Sequence, residues 1–297
     1  MPRTAATILL LVFLTPPWWL AGARASEITE RVVKVPVKIE DTYRKVIARE
    51  ITVTVFQQAG RAPYPLLVLS HGRAPDSAGR QKLGRARYSE ASKYFASLGY
   101  SVWVPTRIGY GVSGSDEDPE DSGACGSKLY PPAYAASTEQ VLQVMAYAKR
   151  LPEIDGTRIV SVGQSFGGTT SIALAARTPP GLVAAINFAG GGGGNSQTRP
   201  GEPCDPFRLA ELFAGYGKGA RVPTLWIYAE NDRYFAPRYV RSWYDAFRAE
   251  GGNGELVLLP PFGEDGHLLF SRGMPVWHPI VERFLVAHIP TKDMKAQ

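Results

Sequence analysis

The stretch RIVSVGQSFGG, residues 158–168, decides the fold of this chain. It places one hydroxyl residue, Ser165, between Gly163 and Gly167, directly after an apolar run and directly before a segment rich in Ala, Leu and Ile. An apolar strand, a tight turn and a helix around G-x-S-x-G are the context that presents a serine nucleophile on a sharp turn. The glycines fit this interpretation because a side chain at either position would collide with the strand or the helix. The alternative is that Ser165 is an ordinary residue of a glycine-rich turn.

Short apolar strands alternate with segments of helical length from residue 65 onward. The predicted strands are PLLVLSHG (65–72), YSVWVP (100–105), RIVSVG (158–163), LVAAINFAG (182–190), TLWIYAE (224–230) and ELVLLP (255–260). Continuous apolar strands separated by helices indicate an α/β fold, a mostly parallel sheet with helices on both faces. Upstream, residues 31–39 and 51–55 alternate between apolar and polar side chains, which predicts an N-terminal antiparallel hairpin turning around residues 41–45.

Two long segments interrupt this alternation, at residues 109–132 and 190–220. Both are predicted to be loop insertions, and both follow the carboxyl ends of strands, where open α/β sheets bind their ligands. No repeat or linker divides the chain, so residues 26–297 are expected to form a single domain.

Residues 1–25 have the order of a secretory signal peptide. Arg3 precedes a short apolar run, and small residues at positions 23 and 25 precede the predicted cleavage after Ala25. An uncleaved membrane anchor is the alternative, but the apolar run is much shorter than the ~20 residues that span a bilayer. The mature protein is therefore expected to be secreted or periplasmic, without stable membrane insertion.

The composition, with 44% hydrophobic and 20% charged residues, is that of a globular protein. The net charge of +6 comes from scattered Lys and Arg residues rather than from a dense cluster, so no nucleic-acid partner is expected. The four histidines lack metal-ligand spacing and the chain has no Cys-x-x-Cys pair, so neither a metal nor a cofactor is expected.

The G-x-S-x-G-G form at residues 163–168 and the order of elements resemble the α/β-hydrolase fold. Within this fold the chain is most similar to the dienelactone hydrolase-like and prolyl oligopeptidase-like branches, over residues 65–289. Dienelactone hydrolases proper carry cysteine as the nucleophile. Ser165 departs from that pattern, and their particular lactone chemistry is therefore not carried over.

A serine hydroxyl needs a base to take its proton, and the base needs an acid to hold its tautomer. The resemblance implies the chain order Ser, then Asp or Glu, then His. Asp232, just after the strand at residues 224–230, matches the acid of the family, with Glu230 and Asp245 as alternatives. His267, in the sequence EDGH, is the predicted base.

Two backbone N–H groups are expected to stabilise the oxyanion that forms when an ester carbonyl is attacked. The first is that of Phe166, directly after the nucleophile. The second is assigned to Arg73, because SHGR at residues 70–73 resembles the His-Gly signature of the family. Gly72 is expected to allow close approach of this loop, and His71 to orient it.

These residues predict a serine hydrolase that cleaves small-molecule carboxylic esters through an acyl-enzyme. The first alternative is a serine exopeptidase or amidase of the prolyl oligopeptidase-like type. That branch usually carries another large domain, whereas a short hairpin precedes the catalytic segment here. The second alternative is a non-catalytic binding protein on the same fold.

Cys125 and Cys204 lie one in each predicted insertion. An exported chain with an even number of cysteines is expected to pair them. Because both insertions follow strand ends on the same rim of the sheet, the bridge is expected to pin them as a lid near Ser165. Two unrelated buried thiols are the alternative.

Overall fold

The computed structural model describes residues 1, 27–60, 62–74, 76–114 and 117–289. The predicted signal peptide, apart from its first residue, lies outside the described residues. Among the residues described, no helix is long and apolar enough to cross a membrane.

Strands and helices alternate along the chain in the predicted order. The strands are β1 (Ile28–Glu40), β2 (Val46–Gln58), β3 (Tyr64–Ser70), β4 (Ser101–Thr106), β5 (Ile154–Gln164), β6 (Leu182–Phe188), β7 (Thr224–Ala229) and β8 (Gly254–Leu259). The helices are α1 (Ser77–Lys82), α2 (Ser89–Ser97), α3 (Tyr130–Ala148), α4 (Phe166–Arg177), α5 (Pro206–Gly217), α6 (Pro237–Ala249), α7 (Leu269–Arg272) and α8 (Met274–His288). A helix thus follows every strand from β3 onward, which is the succession that builds a parallel sheet.

The strands form one sheet in the order β1-β2-β4-β3-β5-β6-β7-β8. β1 pairs antiparallel with β2, and β2 pairs antiparallel with β4. All pairs from β4 to β8 are parallel. The predicted fold class is confirmed, and the N-terminal hairpin turns between Glu40 and Val46 as expected.

Helices cover both faces of this sheet. On one face α3, α4, α5 and α6 bury large side chains that include Tyr134, Ile172, Phe213 and Trp243. On the other face α2 and α8 bury Phe95, Trp277 and Phe284. Each such side chain contributes roughly 1.5–3 kcal/mol when removed from water, so the two apolar layers hold the strand ends in place.

The prediction that residues 190–220 form a loop is wrong for their later part, which forms α5. One face of this helix buries Leu209, Leu212 and Phe213. The first insertion also ends earlier than predicted, because α3 begins at Tyr130 with Pro131 in its first turn. Proline suits the first helical turn, where the N–H that it lacks has no partner within the helix. Pro131 and Pro206, which lie within the predicted insertions, therefore mark helix starts.

A disulfide joins Cys125 to Cys204, and the predicted pairing is present. The Arg199 guanidinium lies 2.6 Å from Cys125 Sγ and 2.8 Å from Cys204 Sγ. Nearby, the backbone N–H of Lys128 donates to the Asp205 carboxylate at 2.8 Å. Covalent and polar contacts together fasten the first insertion to the second.

Replacing Cys125 and Cys204 by serine should lower the free energy of unfolding. The bridge spans a sequence separation of 79 residues. Closing a loop of that size stabilises a fold by about 4 kcal/mol through the unfolded state. Urea unfolding of the double variant should match that of reduced wild-type protein. A variant as stable as the oxidised protein would contradict this expectation.

Candidate active site

Ser165 occupies the sharp turn between β5 and α4. Its backbone has φ of 57° and ψ of −124°, a conformation rarely adopted by a residue with a side chain. The Ser165 N–H donates to Phe188 O at 2.9 Å, and the Ser165 carbonyl accepts from Gly168 N at 2.8 Å. Bonds to β6 and to the first turn of α4 therefore hold the serine in this conformation.

The two glycines that flank Ser165 have no room for a side chain. A Cβ atom at Gly163 would lie 2.0 Å from Gly167 O, and one at Gly167 would lie 2.1 Å from Ser70 O. Both obstacles are backbone atoms of packed elements and cannot rotate away. The steric reason given for the glycines on sequence grounds is confirmed.

Asp232 and His267 meet at the carboxyl ends of β7 and β8. His267 Nδ1 lies 3.0 Å from Asp232 Oδ2, and the Asp232 side chain is fully buried. The other carboxylate oxygen, Oδ1, accepts from the backbone N–H groups of Tyr234 at 2.7 Å and Phe235 at 3.1 Å. Since Nδ1–H donates to Asp232, His267 keeps Nε2 as a proton acceptor.

The rival acids lie elsewhere. Glu230 is exposed, and Asp245 is exposed on α6. Among the described residues, neither carboxylate forms a hydrogen bond or ion pair with His267. Of the other histidines, His278 and His288 lie on α8.

The loop at residues 71–73 packs directly against the serine turn. A Cβ atom at Gly72 would lie 2.8 Å from Gln164 Oε1 and 3.1 Å from Ser165 Cβ, so a side chain here would crowd the serine turn. Among the described residues, no acceptor pairs with the backbone N–H of Arg73 or of Phe166. The N–H groups of Arg73, on this loop, and of Phe166, next to Ser165 in the chain, are thus available to an acceptor.

A buried ion pair, which the sequence did not suggest, holds the loop at residues 71–73 in place. Arg107 and Glu120 are fully buried and bonded at 2.5 Å. The Arg107 guanidinium also donates to His71 O at 2.9 Å and approaches Gly72 O at 3.5 Å. Although burial disfavours its charge, the Glu120 carboxylate raises the pKa of Arg107, so the guanidinium stays charged.

His71 is a structural member of the same network. Its Nε2 accepts from the backbone N–H of Arg107 at 3.2 Å, so Nδ1 carries the proton and donates to Gly72 O at 2.7 Å. Burial, together with the charge of Arg107, lowers the pKa of His71 well below its ordinary value. His71 is therefore a neutral residue that braces its own loop.

A second ion pair fixes Arg73 itself. Its guanidinium makes two bonds to the Asp118 carboxylate, at 2.7 and 2.6 Å, and Arg80 approaches the same carboxylate at 3.0 Å. Tyr110 links the two pairs, because its hydroxyl donates to Glu120 at 2.8 Å and lies 3.3 Å from Arg73. The Arg73 side chain is thereby turned to Asp118.

A cavity of about 240 Å³ opens at Ser165 and His267. Its further lining includes Leu83, Tyr88, Tyr110, Gln164 and Tyr234. Among the described residues, the lining includes neither cysteine and nothing from residues 190–220. That the bridge pins both insertions as a lid stays a prediction, and one wall of the cavity is formed by the segment around α1. Sequence analysis missed it because this segment carries no chemical motif.

A family model described as the dienelactone hydrolase family matches residues 75–261, which is more than half of the chain. The chain belongs to the dienelactone hydrolase family. This membership confirms the resemblance drawn from the residues around Ser165. A search of curated protein sequences finds no match.

Solved structures share the fold of this dienelactone hydrolase family member at low identity. A Klebsiella pneumoniae protein named as a dienelactone hydrolase is 17% identical with a TM-score of 0.57, covering 86% of this chain and 98% of its own. An acetyl xylan esterase from Paenibacillus sp. R4 is 15% identical with a TM-score of 0.56, covering 90% of each chain. An acylaminoacyl peptidase from Pyrococcus horikoshii is 17% identical with a TM-score of 0.60, but the match spans 43% of that chain and 90% of this one. With the family match, these neighbours support an enzyme of the hydrolase class.

Substituting Glu120→Gln should destabilise the fold strongly, because it leaves the buried charge of Arg107 without its partner. Breaking a buried ion pair in this way costs about 3–5 kcal/mol. Glu255→Gln is the matched control, since its pair with Arg283 is exposed. Exposed pairs contribute about 1 kcal/mol or less. Urea unfolding of both variants makes the comparison, and equal losses would refute the structural role of the buried pair.

Proposed function

We propose that this chain is a serine hydrolase that cleaves carboxylic esters through an acyl-enzyme. The observation that carries the proposal is the bond between His267 and buried Asp232, with His267 and Ser165 facing one cavity. A serine on a strained turn, a histidine with a free Nε2 and a buried acid are the parts that nucleophilic acyl transfer uses.

In the first half of the reaction, Ser165 Oγ attacks the ester carbonyl carbon while His267 Nε2 takes the hydroxyl proton. Asp232 stabilises the imidazolium that forms and keeps Nδ1 protonated. The carbonyl oxygen gains negative charge and accepts hydrogen bonds from the N–H groups of Phe166 and Arg73. Phe166 begins α4, so the positive end of that helix adds to the stabilisation.

The oxyanion then collapses, the bond between the acyl carbon and the alcohol oxygen breaks, and His267 gives its proton to the leaving alcohol while the acyl group stays on Ser165. A water molecule then gives a proton to His267 and attacks the acyl carbon. The same two amides stabilise the second oxyanion, and the acid leaves as Ser165 regains its proton. This sequence uses groups of the chain and water, without a cofactor.

The size of the cavity favours small esters. Its volume of about 240 Å³ lies below the range of about 300–1,000 Å³ that is usual for ligand pockets. Tyr88, Tyr110 and Tyr234 offer ring faces and hydroxyls to a compact substrate. The acetyl xylan esterase matches this chain over 90% of its own length, whereas the peptidase does so over 43%. Both observations favour an esterase over a peptidase.

The proposed location is extracellular or periplasmic. The disulfide between Cys125 and Cys204 is compatible with an oxidising compartment, where such bonds persist. The signal peptide at residues 1–25 remains a prediction. N-terminal sequencing of the exported protein should find Ser26 as its first residue.

Ser165→Ala and His267→Ala should each lower the turnover of p-nitrophenyl acetate by at least about 10³-fold, because the members of such a triad act as a unit. A fluorophosphonate should label wild-type protein and leave Ser165→Ala unlabelled. Circular dichroism confirms that each variant is folded. If wild type and Ser165→Ala label equally, or if neither labels, the serine mechanism is refuted.

Asp232→Asn should lower kcat by about 10³- to 10⁴-fold, since the amide no longer holds the productive tautomer of His267. Glu230→Gln is the control, because Glu230 is an exposed neighbour of the same loop. A greater loss in the control would transfer the role of the acid to Glu230.

The esterase and peptidase alternatives are distinguished by the substrates that the protein cleaves. Rates are measured on p-nitrophenyl esters of increasing acyl length and on aminoacyl p-nitroanilides. An esterase should act on the short esters and lose rate as the acyl chain outgrows the cavity. Faster cleavage of the anilides would establish the peptidase alternative.

A further inference from the structure

Five consecutive glycines, residues 190–194, follow β6 and have no part in the chemistry above; they are called the glycine run. Four of its carbonyl groups accept hydrogen bonds from neighbouring residues. They accept hydrogen bonds from Tyr228 Oη at Gly190 (2.8 Å), Tyr134 Oη at Gly191 (2.8 Å), Tyr130 Oη at Gly192 (3.2 Å) and Cys204 N at Gly193 (3.0 Å). The run is therefore a fixed strip of bare backbone rather than a loose linker.

One face of the glycine run carries two aromatic residues that follow Asp232. A Cβ atom at Gly191 would lie 2.7 Å from the Phe235 ring, and one at Gly194 would lie 2.9 Å from Tyr234 Cβ. Carbon atoms do not approach so closely, so Tyr234 and Phe235 rest on backbone that no side chain covers.

These two aromatic residues hold the predicted base. The Tyr234 ring stacks on the His267 imidazole with centroids 4.1 Å apart, and the Phe235 ring meets it edge-on at 5.5 Å. Their N–H groups bind the Asp232 carboxylate as well. Any displacement of Tyr234 or Phe235 is thus transmitted to His267.

The glycine run also contacts Tyr134, which packs on the residue after Ser165. A Cβ atom at Gly192 would lie 2.7 Å from Tyr134 Oη. The Tyr134 ring stacks on Phe166 with centroids 4.1 Å apart, and Phe166 directly follows Ser165. One layer of glycine backbone therefore lies between the residues that support the nucleophile and those that support the base.

We propose that the glycine run is a spacer that sets the position of His267 relative to Ser165, with Gly191 as its main positioning residue. Because the run is only as thick as a bare backbone, a single added methyl group should displace Phe235. His267, which packs on Phe235, should then move away from the position from which it takes the proton of Ser165. This inference rests on the proposed function.

The test substitutes Gly191→Ala. The backbone at Gly191 lies outside the left-handed region, so alanine adds a methyl group without backbone strain. A displaced base should lower kcat for p-nitrophenyl acetate by about 10- to 100-fold while KM stays within about twofold, because misplacement affects the chemical step. Gly215→Ala is the control, since a Cβ atom there meets nothing within 4 Å, and its kcat should equal that of wild type.

The substitution Phe235→Leu supplies the rescue. The ring atoms that a Cβ at Gly191 would strike, Cζ, Cε1 and Cε2, are absent from leucine. In the Phe235→Leu background, Gly191→Ala should therefore change kcat by less than about twofold, so the two substitutions are strongly non-additive. This comparison also serves if Gly191→Ala alone fails to fold.

The outcomes separate the two proposals. If wild-type protein neither cleaves esters nor reacts with a fluorophosphonate, the proposed function fails. If wild type is active and folded Gly191→Ala retains more than half of its kcat, the spacer role is overturned. The spacer role is also overturned if Gly191→Ala lowers kcat by the same factor in the wild-type background and in the Phe235→Leu background.

Discussion

Ser165 is held at φ of 57° and ψ of −124°, a conformation that costs about 1–3 kcal/mol and persists only where the surroundings impose it. Here the surroundings are backbone atoms. Gly163 and Gly167 lie so close to neighbouring backbone that neither tolerates a Cβ atom, and the Ser165 N–H is bonded to β6. The turn exists because β5 and α4 are already packed into the sheet. Every other group in the site is positioned relative to this turn.

Two different kinds of interaction hold the groups around Ser165. On the side of Gly72, charges act: the buried pair of Arg107 with Glu120 and the half-buried pair of Arg73 with Asp118 hold the loop at residues 71–73. Charges suit this role because a buried ion pair is directional and costly to leave half-made. The loop is therefore held in one arrangement.

On the side of His267, aromatic packing acts instead. The imidazole lies between rings and donates to a carboxylate that is itself held by two backbone N–H groups. Packing restrains the His267 ring, whereas burial and the charge of Arg107 lower the pKa of His71 and keep it neutral.

The structure shows a disulfide between Cys125 and Cys204, a pairing that the sequence left open against two unrelated thiols. From local pattern, the sequence predicted the fold class and the turn at Ser165. It also named Asp232 and His267, which the fold brings to bonding distance, although their catalytic roles remain predictions. Only the tertiary structure decided the ion pairs behind the Gly72 loop, the wall formed around α1 and the contacts of the glycine run. Arg73 and Asp118, for example, are 45 residues apart, and charged residues carry no signal of their partner. Such contacts depend on which loops share space above the sheet, and the periodicity of apolar residues holds no information about that.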